Sequence, residues 1–320
     1  QDPAIAIRDK MIAGSFLSGE MPPAFFEKAA PALMPFLNSD FEQKRKIIFS
    51  HFGILLSLPF LMSDSLSSDE YFRYLFRTSR VFIRVRKQPK KIIQCLTQHA
   101  INFELINDDC IALPLNTRLA DILPDADHYV IQDLSSQRAG VFFNPQKDQQ
   151  WWDCCAASGG KSLLLLDKNI PVQLTVSDIR PQIIANLHKR FTQYGFDRYS
   201  AKVIDLTKTL QSTFAYDHII ADLPCSGAGT WSRSPEQFYF FNEQKLNAFH
   251  QLQCTILQNI LPCLKPGGSL YYLTCSLFQQ ENEKVIASID QQQYKPIQQR
   301  LLKAFDEGGD CLYFCEISRR

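Results

Sequence analysis

Apolar and polar positions follow two different periods along the second half of the chain. Short, nearly continuous apolar runs predict buried strands at 151–155, 172–177, 201–204, 218–222 and 269–274. Apolar residues at helical spacing predict helices at 161–167, 181–194 and 243–264, and Lys-Pro-Gly-Gly at 265–268 predicts a turn after the last helix. These repeated units predict an α/β fold, with a parallel sheet covered by helices on both faces and ligands at the carboxyl ends of its strands.

The N-terminal part of the chain has helical patterning. Apolar residues at helical spacing predict helices at 23–37 and 41–58, with Asp40 as a candidate N-cap for the second. The polar segment 63–69 predicts a loop and a domain boundary.

A third pattern lies between these two regions. Strand-like runs at 81–85, 103–106 and 110–113, with a helical pattern at 91–99, predict a compact α+β module. We therefore expect three units along the chain, covering residues 1–65, 66–127 and 128–320.

Composition limits the class of protein. The chain has 320 residues, 45% of them hydrophobic, which suffices for a substantial core. The apolar run 54–62, interrupted by Ser57 and Pro59, falls short of the roughly 20 residues that a membrane span needs. The N-terminus does not resemble a signal peptide. Ten scattered cysteines without a C-x-x-C pair predict thiols in a reducing cytoplasm, no structural zinc site and no bound metal.

The formal net charge of +1 hides a basic segment, residues 71–91, that contains no acid. Its cations are Arg73, Arg77, Arg80, Arg84, Arg86, Lys87, Lys90 and Lys91. Its aromatic residues are Tyr71, Phe72, Tyr74, Phe76 and Phe82. Such a mixture fits a surface that binds phosphates and bases, and a solvated helix face is the alternative.

A glycine-containing turn follows the first strand of the α/β region. Residues 153–162 read Asp-Cys-Cys-Ala-Ala-Ser-Gly-Gly-Lys-Ser, and the adjacent glycines allow the backbone to approach a ligand closely where strand passes into helix. A phosphate-binding P-loop would need a glycine at position 155, which is Cys155. An NTPase is therefore a near match only.

Acidic residues follow three of the predicted strands. Asp178, Asp205 and Asp222 each come at a predicted strand end, and the first lies about 20 residues beyond the glycines, where an acid can bind ribose hydroxyls. Each could instead cap the next helix. Three acids in register with a glycine turn favour an adenosine-type ligand.

Two thiols also follow predicted strands. Cys225 lies in Asp-Leu-Pro-Cys-Ser-Gly at 222–227, and Cys275 lies in Thr-Cys-Ser at 274–276. A thiol just beyond a strand end is in a position to react, whereas most cysteines are buried and inert.

From about residue 84 to the C-terminus, the chain resembles the Sun/Nop (Fmu-like, RsmB-like) family of S-adenosylmethionine-dependent RNA cytosine-5 methyltransferases. The resemblance rests on four segments of this sequence: the turn at 153–162, Asp-Leu-Pro-Cys-Ser-Gly at 222–227, Thr-Cys-Ser at 274–276 followed by Glu-Asn at 281–282, and Ile-Gln-Asp-Leu-Ser-Ser-Gln at 131–137. It implies a Rossmann-like class I methyltransferase sheet, a small RRM-like α+β module, and an N-terminal region similar to a shortened NusB-like extension.

The resemblance also implies roles for individual residues. Asp178 would bind the ribose of S-adenosylmethionine, Asp205 its adenine side, and Asp222 would lie between cofactor and target base. Cys275 would be the nucleophile and Cys225 would assist product release. The methionine end of the cofactor would be lined by Cys155, Ala156, Ala157, Ser158, Gly159, Gly160 and Lys161. The RNA contacts would come from Arg84, Arg86, Lys87, Lys90 and Lys91.

Three positions depart from the family pattern. Ser158 stands where the family has proline, Leu223 where it has alanine, and Arg86 where it has asparagine. We expect Ser158 to loosen a rigid turn and weaken cofactor binding, and Arg86 to alter the RNA contact.

The expected chemistry explains the need for a thiol. Carbon 5 of cytosine is too electron-poor to attack a methyl sulfonium, so a nucleophile must first add at carbon 6. A free thiol is only a few per cent thiolate at pH 7, so nearby positive charge or dipoles should favour the thiolate. The target base must be accessible or flipped out of a helix.

We expect a cytoplasmic monomer that acts on RNA, ribosomal in preference to transfer RNA, without membrane association. A P-loop-like NTPase and a non-catalytic RNA-binding protein with a decayed methyltransferase domain are the alternatives.

Overall fold

The computed structural model describes residues 7–19, 21–53, 60–210, 215–234 and 236–320. Its α-helices are α1 (Ile7–Ser18), α2 (Pro23–Ala29), α3 (Phe41–Phe52), α4 (Ser68–Leu75), α5 (Pro89–Gln98), α6 (Leu119–Ile122), α7 (Leu134–Ala139), α8 (Gly160–Leu166), α9 (Pro181–Gln193), α10 (Glu236–Phe240), α11 (Glu243–Ile260) and α12 (Glu283–Ala287). Its strands are β1 (Arg80–Val85), β2 (Glu104–Leu105), β3 (Cys110–Pro114), β4 (Tyr129–Ile131), β5 (Gln150–Asp153), β6 (Gln173–Asp178), β7 (Ser200–Val203), β8 (Tyr216–Asp222), β9 (Leu264–Thr274), β10 (Tyr294–Lys303) and β11 (Cys311–Arg319).

The larger sheet has seven strands in the order β10-β11-β9-β8-β5-β6-β7. Strands β5 to β9 are parallel, and β11 is antiparallel to both β9 and β10. The chain starts in the middle of this sheet at β5, proceeds outward through β6 and β7, and then continues on the other side through β8 and β9. A crevice for ligands forms where the direction reverses, at the carboxyl ends of β5 and β8.

Both faces of the large sheet are buried, which explains why its strands read as apolar runs without alternation. On one face, Trp152 and Ile219 belong to a cluster with Ile256 and Ile260 of α11. On the other face, Trp151 belongs to a cluster that includes Leu163, Leu187 and Phe191, of α8 and α9. The strands predicted in the α/β region are confirmed.

The prediction that residues 265–268 form a turn connecting helix and strand is wrong. Helix α11 ends at Ile260, a 3-10 turn covers Leu261–Cys263, and β9 already begins at Leu264. Tyr216 pairs with Leu264 and His218 pairs with Ser269, so four residues of β9 bulge out opposite one residue of β8. Gly267, with φ of +76°, permits this bulge.

The smaller sheet is antiparallel, with the order β2-β3-β1-β4. Helix α5 covers it, and Ile92 and Leu96 pack against Ile83 and Ile111. Because β4 (Tyr129–Ile131) pairs with β1, this sheet extends past residue 127 into the chain that leads to the large sheet.

The N-terminal helices α1 to α3 have a core of their own that includes Phe16, Phe26 and Ile48. The Asp40 side chain accepts a hydrogen bond from Gln43 N at 2.8 Å, so the predicted N-cap of α3 is confirmed. Residues 54–58 of the predicted helix lie outside the described residues. Within the described ranges, no helix is both long and apolar enough to cross a bilayer.

Candidate active site

The turn between β5 and α8 requires an unusual backbone. Ala157 and Gly159 have φ of +46° and +82°, in the left-handed region. A Cβ placed on Gly159 would lie 2.4 Å from Cε1 of Phe191, a side chain fixed in the core. Glycine is therefore needed at this position for both its backbone angle and its lack of a side chain.

A cavity of about 570 Å³ opens at the carboxyl edge of the large sheet. Its wall includes predicted residues from five successive strand ends, which are Cys155, Ala157, Asp178, Asp205, Asp222, Cys225 and Cys275. Its volume falls within the range of small-molecule sites. Parallel topology has thus brought together residues that are up to 120 positions apart.

The other residues predicted for the methionine end lie outside the set of described residues that line this cavity. They are Ala156, Ser158, Gly159, Gly160 and Lys161. Ala156 N donates to Ser177 O at 2.9 Å and Gly159 N donates to Ala156 O at 2.7 Å, so these residues build the turn.

Asp178, at the end of β6, is held by Arg180. The Arg180 side chain donates from Nε and Nη2 to the two carboxylate oxygens at 2.9 and 3.0 Å. Burial favours a raised pKa for Asp178, but the hydrogen bonds and charge of Arg180 outweigh it, and the pKa is lowered. Arg180, rather than Asp178, is the N-cap residue of α9. The Asp178 carboxylate is therefore ionised at neutral pH and faces the cavity.

Asp205 lies two residues beyond β7 and accepts hydrogen bonds from the main-chain N and Oγ1 of Thr207 at 3.0 and 2.6 Å. These bonds lower the pKa of Asp205. The carboxylate and the Thr207 side chain both border the cavity, between Ile204 and Leu206.

Asp222, at the end of β8, forms an ion pair inside the site. Its Oδ2 accepts a hydrogen bond from Lys161 Nζ at 2.8 Å, and Lys161 Nζ also donates to Ser136 Oγ at 2.9 Å. The Lys161 side chain is 7% exposed. Burial works to lower the pKa of Lys161, but the charges of Asp222 and Cys275 raise it above its ordinary value. The Lys161 ammonium therefore contacts Asp222, a carboxylate at the cavity, whereas the sequence resemblance implied a contact with the methionine end of the cofactor.

The two thiols of the site are neighbours. The pKa of Cys225 is raised well above its ordinary value, first because its thiol hydrogen-bonds to Cys275 and then because it is buried. Cys225 consequently remains protonated at neutral pH, as a group that can donate a proton. Both side chains border the cavity that Asp222 also lines.

A buried carboxylate, Glu281, braces both thiol-bearing loops. It accepts hydrogen bonds from Ser226 N at 2.8 Å, from Ser276 Oγ, and from Gln253 Nε2 at 3.2 Å. Ser226 follows Cys225 in the chain, and Ser276 follows Cys275. Burial raises the pKa of Glu281. The loops that carry the two sulfurs are thus fixed relative to each other by one side chain.

Asn282 holds the loop that carries Cys275. Its Oδ1 accepts from Thr274 Oγ1 at 2.6 Å, and its Nδ2 donates to Ser276 O at 3.0 Å and to Ser63 Oγ at 2.7 Å. The Glu-Asn pair was part of the sequence resemblance, but nothing in the sequence indicated this bracing role.

Asp153, at the end of β5, is fully buried. It accepts a hydrogen bond from Ser162 Oγ at 2.6 Å, while its Oδ1 has no hydrogen-bond partner in the part of the chain that is described. Burial raises the pKa of Asp153 to about 7. The carboxyl group lies at the start of the turn between β5 and α8 and supports the first turn of α8.

Ser158 and Leu223, two residues that depart from the family pattern, each contact other parts of the protein. Arg190 Nη1 donates to both the carbonyl and the hydroxyl of Ser158, at 3.0 and 2.7 Å, so a side chain holds the turn where the family has a proline ring. Leu223 is 3% exposed and belongs to the core cluster on the α11 face, while it also borders the cavity.

The basic segment does not form one exposed surface. Arg84 and Arg86 have side chains 8% and 7% exposed, and both pair with Asp167, at 2.6 and 2.8 Å. Arg86 also stacks over Tyr194, 4.7 Å from the ring centroid. The expectation that these two arginines face RNA is wrong, because their guanidinium groups are used inside the protein.

The lysines of the segment lie on the surface. Lys87 pairs with Asp127 at 2.7 Å and Lys91 with Asp125 at 2.6 Å, both with exposed side chains, and Lys90 is also exposed. The aromatic residues do not share this surface, because Tyr71, Phe72, Tyr74 and Phe82 are at most 3% exposed. RNA binding by Lys87, Lys90 and Lys91 stays a prediction.

Comparison with known proteins identifies the family. A model described as 16S rRNA methyltransferase RsmB/F matches residues 140–307, just over half of the chain. Ribosomal RNA small subunit methyltransferase B of Salmonella paratyphi A is 32% identical over 158 residues, which cover 49% of this chain and 37% of that protein. The matched part thus spans well under half of that relative.

Solved structures show the same fold. The protein PH0851 superposes over 97% of this chain and 81% of its own, with a TM-score of 0.71 and 18% identity. NSun6 from Pyrococcus horikoshii, solved with SFG, superposes over 80% of this chain and 96% of its own, with a TM-score of 0.70 and 13% identity. The Rossmann-like methyltransferase fold is thereby confirmed, and on the match over 140–307 the chain belongs to the RsmB/F family of 16S rRNA methyltransferases.

Proposed function

We propose that this protein is an S-adenosylmethionine-dependent RNA methyltransferase that modifies carbon 5 of cytosine in ribosomal RNA through a covalent cysteine adduct. The observation that carries the proposal is the pair of neighbouring thiols, Cys225 and Cys275, beside Asp222 in one cavity. A single thiol could be a structural residue. Two thiols of which one is held protonated fit a reaction that both forms and breaks a carbon–sulfur bond.

The residues of the cavity fit the cofactor. The Asp178 and Asp205 carboxylates can accept hydrogen bonds from hydroxyl and amino groups, and Ile179, Leu206 and Leu223 supply apolar walls for a flat ring. When bound, S-adenosylmethionine supplies an electrophilic methyl group.

The first step follows from the positions of Cys275 and Asp222. The Cys275 sulfur, as thiolate, adds to carbon 6 of cytosine, and the electron pair of the 5,6 double bond becomes available at carbon 5. Negative charge develops on the pyrimidine ring during this addition. The Asp222 carboxylate can accept a hydrogen bond from the exocyclic amine of the base and so orient it, while the Lys161 ammonium, 2.8 Å from Asp222, offsets the developing charge.

The second step releases the product. Once carbon 5 carries the methyl group, a water molecule takes the proton from carbon 5, the electron pair of that carbon–hydrogen bond restores the 5,6 double bond, and the carbon–sulfur bond breaks to give the Cys275 thiolate. The Cys225 thiol is protonated and hydrogen-bonded to Cys275, so it can donate a hydrogen bond to the departing thiolate, and we assign assistance of the release step to Cys225.

Ribosomal RNA is proposed because the matching relatives are described as small subunit methyltransferases. The exposed lysines of the small module, Lys87, Lys90 and Lys91, are the proposed contacts to the phosphate backbone. We propose that the protein acts in the cytoplasm and as a monomer.

The test is methyl transfer from labelled S-adenosylmethionine to total RNA, followed by nucleoside analysis. The proposal predicts label in 5-methylcytidine of ribosomal RNA. Label in another nucleoside would contradict the cytosine-5 assignment, and no transfer despite cofactor binding would favour a decayed enzyme. Calorimetry with S-adenosylmethionine and with ATP addresses the NTPase alternative, which is already disfavoured because Lys161 is paired with Asp222.

A further inference from the structure

We propose that Gln132 and Ser136 are positioning residues that hold the Lys161 ammonium at Asp222 and Cys275, and that they connect the small sheet to the active site. The proposal deepens the function proposed above and rests on it. The family resemblance implies no individual role for Gln132 or Ser136.

The Lys161 ammonium is held from two directions. A lysine ammonium has three donors and no acceptor, so its position follows from the acceptors around it. Ser136 Oγ lies 2.9 Å from Nζ and Asp222 Oδ2 lies 2.8 Å from it. If the serine oxygen were removed, only Asp222 of these two acceptors would remain. The ammonium could then rotate away from Cys275.

Ser136 is in turn fixed by Gln132. The Gln132 amide nitrogen donates to Ser136 Oγ at 3.3 Å and to Gly160 O at 3.1 Å. Gly160 is the residue before Lys161, so one amide group contacts both the backbone next to the lysine and the serine that binds its ammonium.

Arg84 of β1 determines the orientation of that amide. Arg84 Nε donates to Gln132 Oε1 at 3.2 Å, and a guanidinium has no acceptor, so the amide oxygen must face β1. The amide nitrogen then necessarily faces Ser136 and Gly160. Gln132 and Lys161 both donate to Ser136 Oγ, so an unbroken set of hydrogen bonds connects Arg84 of the small sheet to Asp222.

Helix α8 is attached to the small sheet at both ends. At its start, Gly160 O binds Gln132. At its C-cap, Asp167 pairs with Arg84 and Arg86. The position of α8, and with it that of Lys161, is thus set by the docking of β1. This arrangement explains why two arginines of the basic segment are buried.

Adjacent serines on α7 provide a matched test. Ser136→Ala removes the acceptor for Lys161, whereas Ser135→Ala removes a buried hydroxyl that donates to Asp133 at 2.6 Å. The first readout uses the protein without cofactor: the rate of Cys275 alkylation by iodoacetamide at pH 7, measured by peptide mass spectrometry. The second readout is the kcat and the KM for S-adenosylmethionine in methyl transfer to RNA.

We expect Ser136→Ala to lower both the Cys275 alkylation rate and kcat about 10-fold, with KM within about twofold, because a hydrogen bond to a charged group is lost. Ser136→Thr, which keeps the hydroxyl, should restore most of both rates. Ser135→Ala should lower the thermal midpoint but leave the alkylation rate and kcat within about twofold.

Gln132→Glu provides an isosteric second variant. It keeps the acceptor for Arg84 and loses the donors to Ser136 and Gly160, so both rates should fall as they do in Ser136→Ala. Wild-type rates in Ser136→Ala and Gln132→Glu, or equal losses in Ser135→Ala, would overturn the proposal. If the wild-type protein transfers no methyl group, the function proposed above fails, while the alkylation rates still decide the positioning role.

Discussion

The carboxyl edge of the large sheet and the basic segment of the small module are both rich in chemically active side chains, but they are organised in opposite ways. At the sheet edge, residues as distant as Cys155 and Cys275 border one cavity. In the basic segment, neighbours in sequence separate in space: Arg84 and Arg86 turn inward to Asp167, while Lys87 and Lys91 stay on the surface.

The reason for this difference is topological. Parallel strands end at the same edge, so a residue type at a strand end can be placed in space from the sequence alone. The positions of side chains in a run of like charges cannot be predicted in this way, because the acids that neutralise the run come from remote parts of the chain. Asp167 is the C-cap residue of α8, more than 80 residues beyond β1.

The largest effect is expected at the sheet edge. Cys275→Ala should lower methyl transfer at least ~10,000-fold, because loss of an attacking nucleophile removes the chemical step. Cys95→Ala, a partly buried thiol in the small module, is the control and should keep near wild-type activity. Turnover of labelled cofactor with ribosomal RNA measures both, and substantial residual activity in Cys275→Ala would remove Cys275 from the role of nucleophile.

The next effect concerns the buried arginines. Asp167→Ala leaves two buried guanidinium groups without their carboxylate and should lower the free energy of unfolding by about 3–4 kcal/mol. Denaturation by urea measures this change. Asp125→Ala, which removes an exposed partner of Lys91, should leave the midpoint unchanged. Equal effects of the two substitutions would show that the inner and outer halves of the basic segment do not differ.

A pH-dependent effect is expected at Asp153, at the end of β5. Because the pKa of Asp153 is raised to about 7 in the folded protein, the folded state retains a proton that the unfolded chain loses near pH 4. This carboxyl therefore contributes stability at low pH that is lost as pH rises towards 7. The stability of Asp153→Asn relative to wild type should increase by on the order of 2 kcal/mol between pH 5 and pH 8. A pH-independent difference, measured by urea denaturation, would contradict this ionisation.

The smallest effect concerns the exposed lysines. Replacement of Lys87, Lys90 and Lys91 by alanine should weaken RNA binding about 10-fold and reduce the slope of log affinity against log salt by about 2–3, with no change in the thermal midpoint. Fluorescence anisotropy over a series of salt concentrations measures both quantities. An unchanged slope would favour the alternative of a merely solvated face.

The strand positions, and the set of residues that meet at the carboxyl edge of the large sheet, could be predicted because each rests on local signals. Apolar runs located β5, β6 and β8, and the polar residues immediately after them had to share one edge. The bulge at 265–268 could not be predicted, because Lys-Pro-Gly-Gly suits a turn equally well and only the pairing of β8 with β9 distinguishes the two.

Side-chain contacts between distant parts of the chain could not be predicted from the sequence. Glu281 reaches Ser226 across 55 residues, and Lys161 reaches Asp222 across 61. No periodicity encodes such pairs, since each depends on how loops from different strands meet. The sequence resemblance marked the Glu-Asn pair and the lysine as motif residues without indicating what they touch.

The central claim is that Cys275 forms the bond to cytosine and Cys225 helps to break it. The most direct test is to incubate the Cys225→Ala variant with ribosomal RNA and S-adenosylmethionine and to look for a covalent protein–RNA species on a denaturing gel. We predict a cofactor-dependent adduct that maps to Cys275 and disappears in the Cys225→Ala/Cys275→Ala double variant. An adduct in Cys275→Ala alone would reverse the two roles, and no adduct in either single variant would contradict the covalent mechanism.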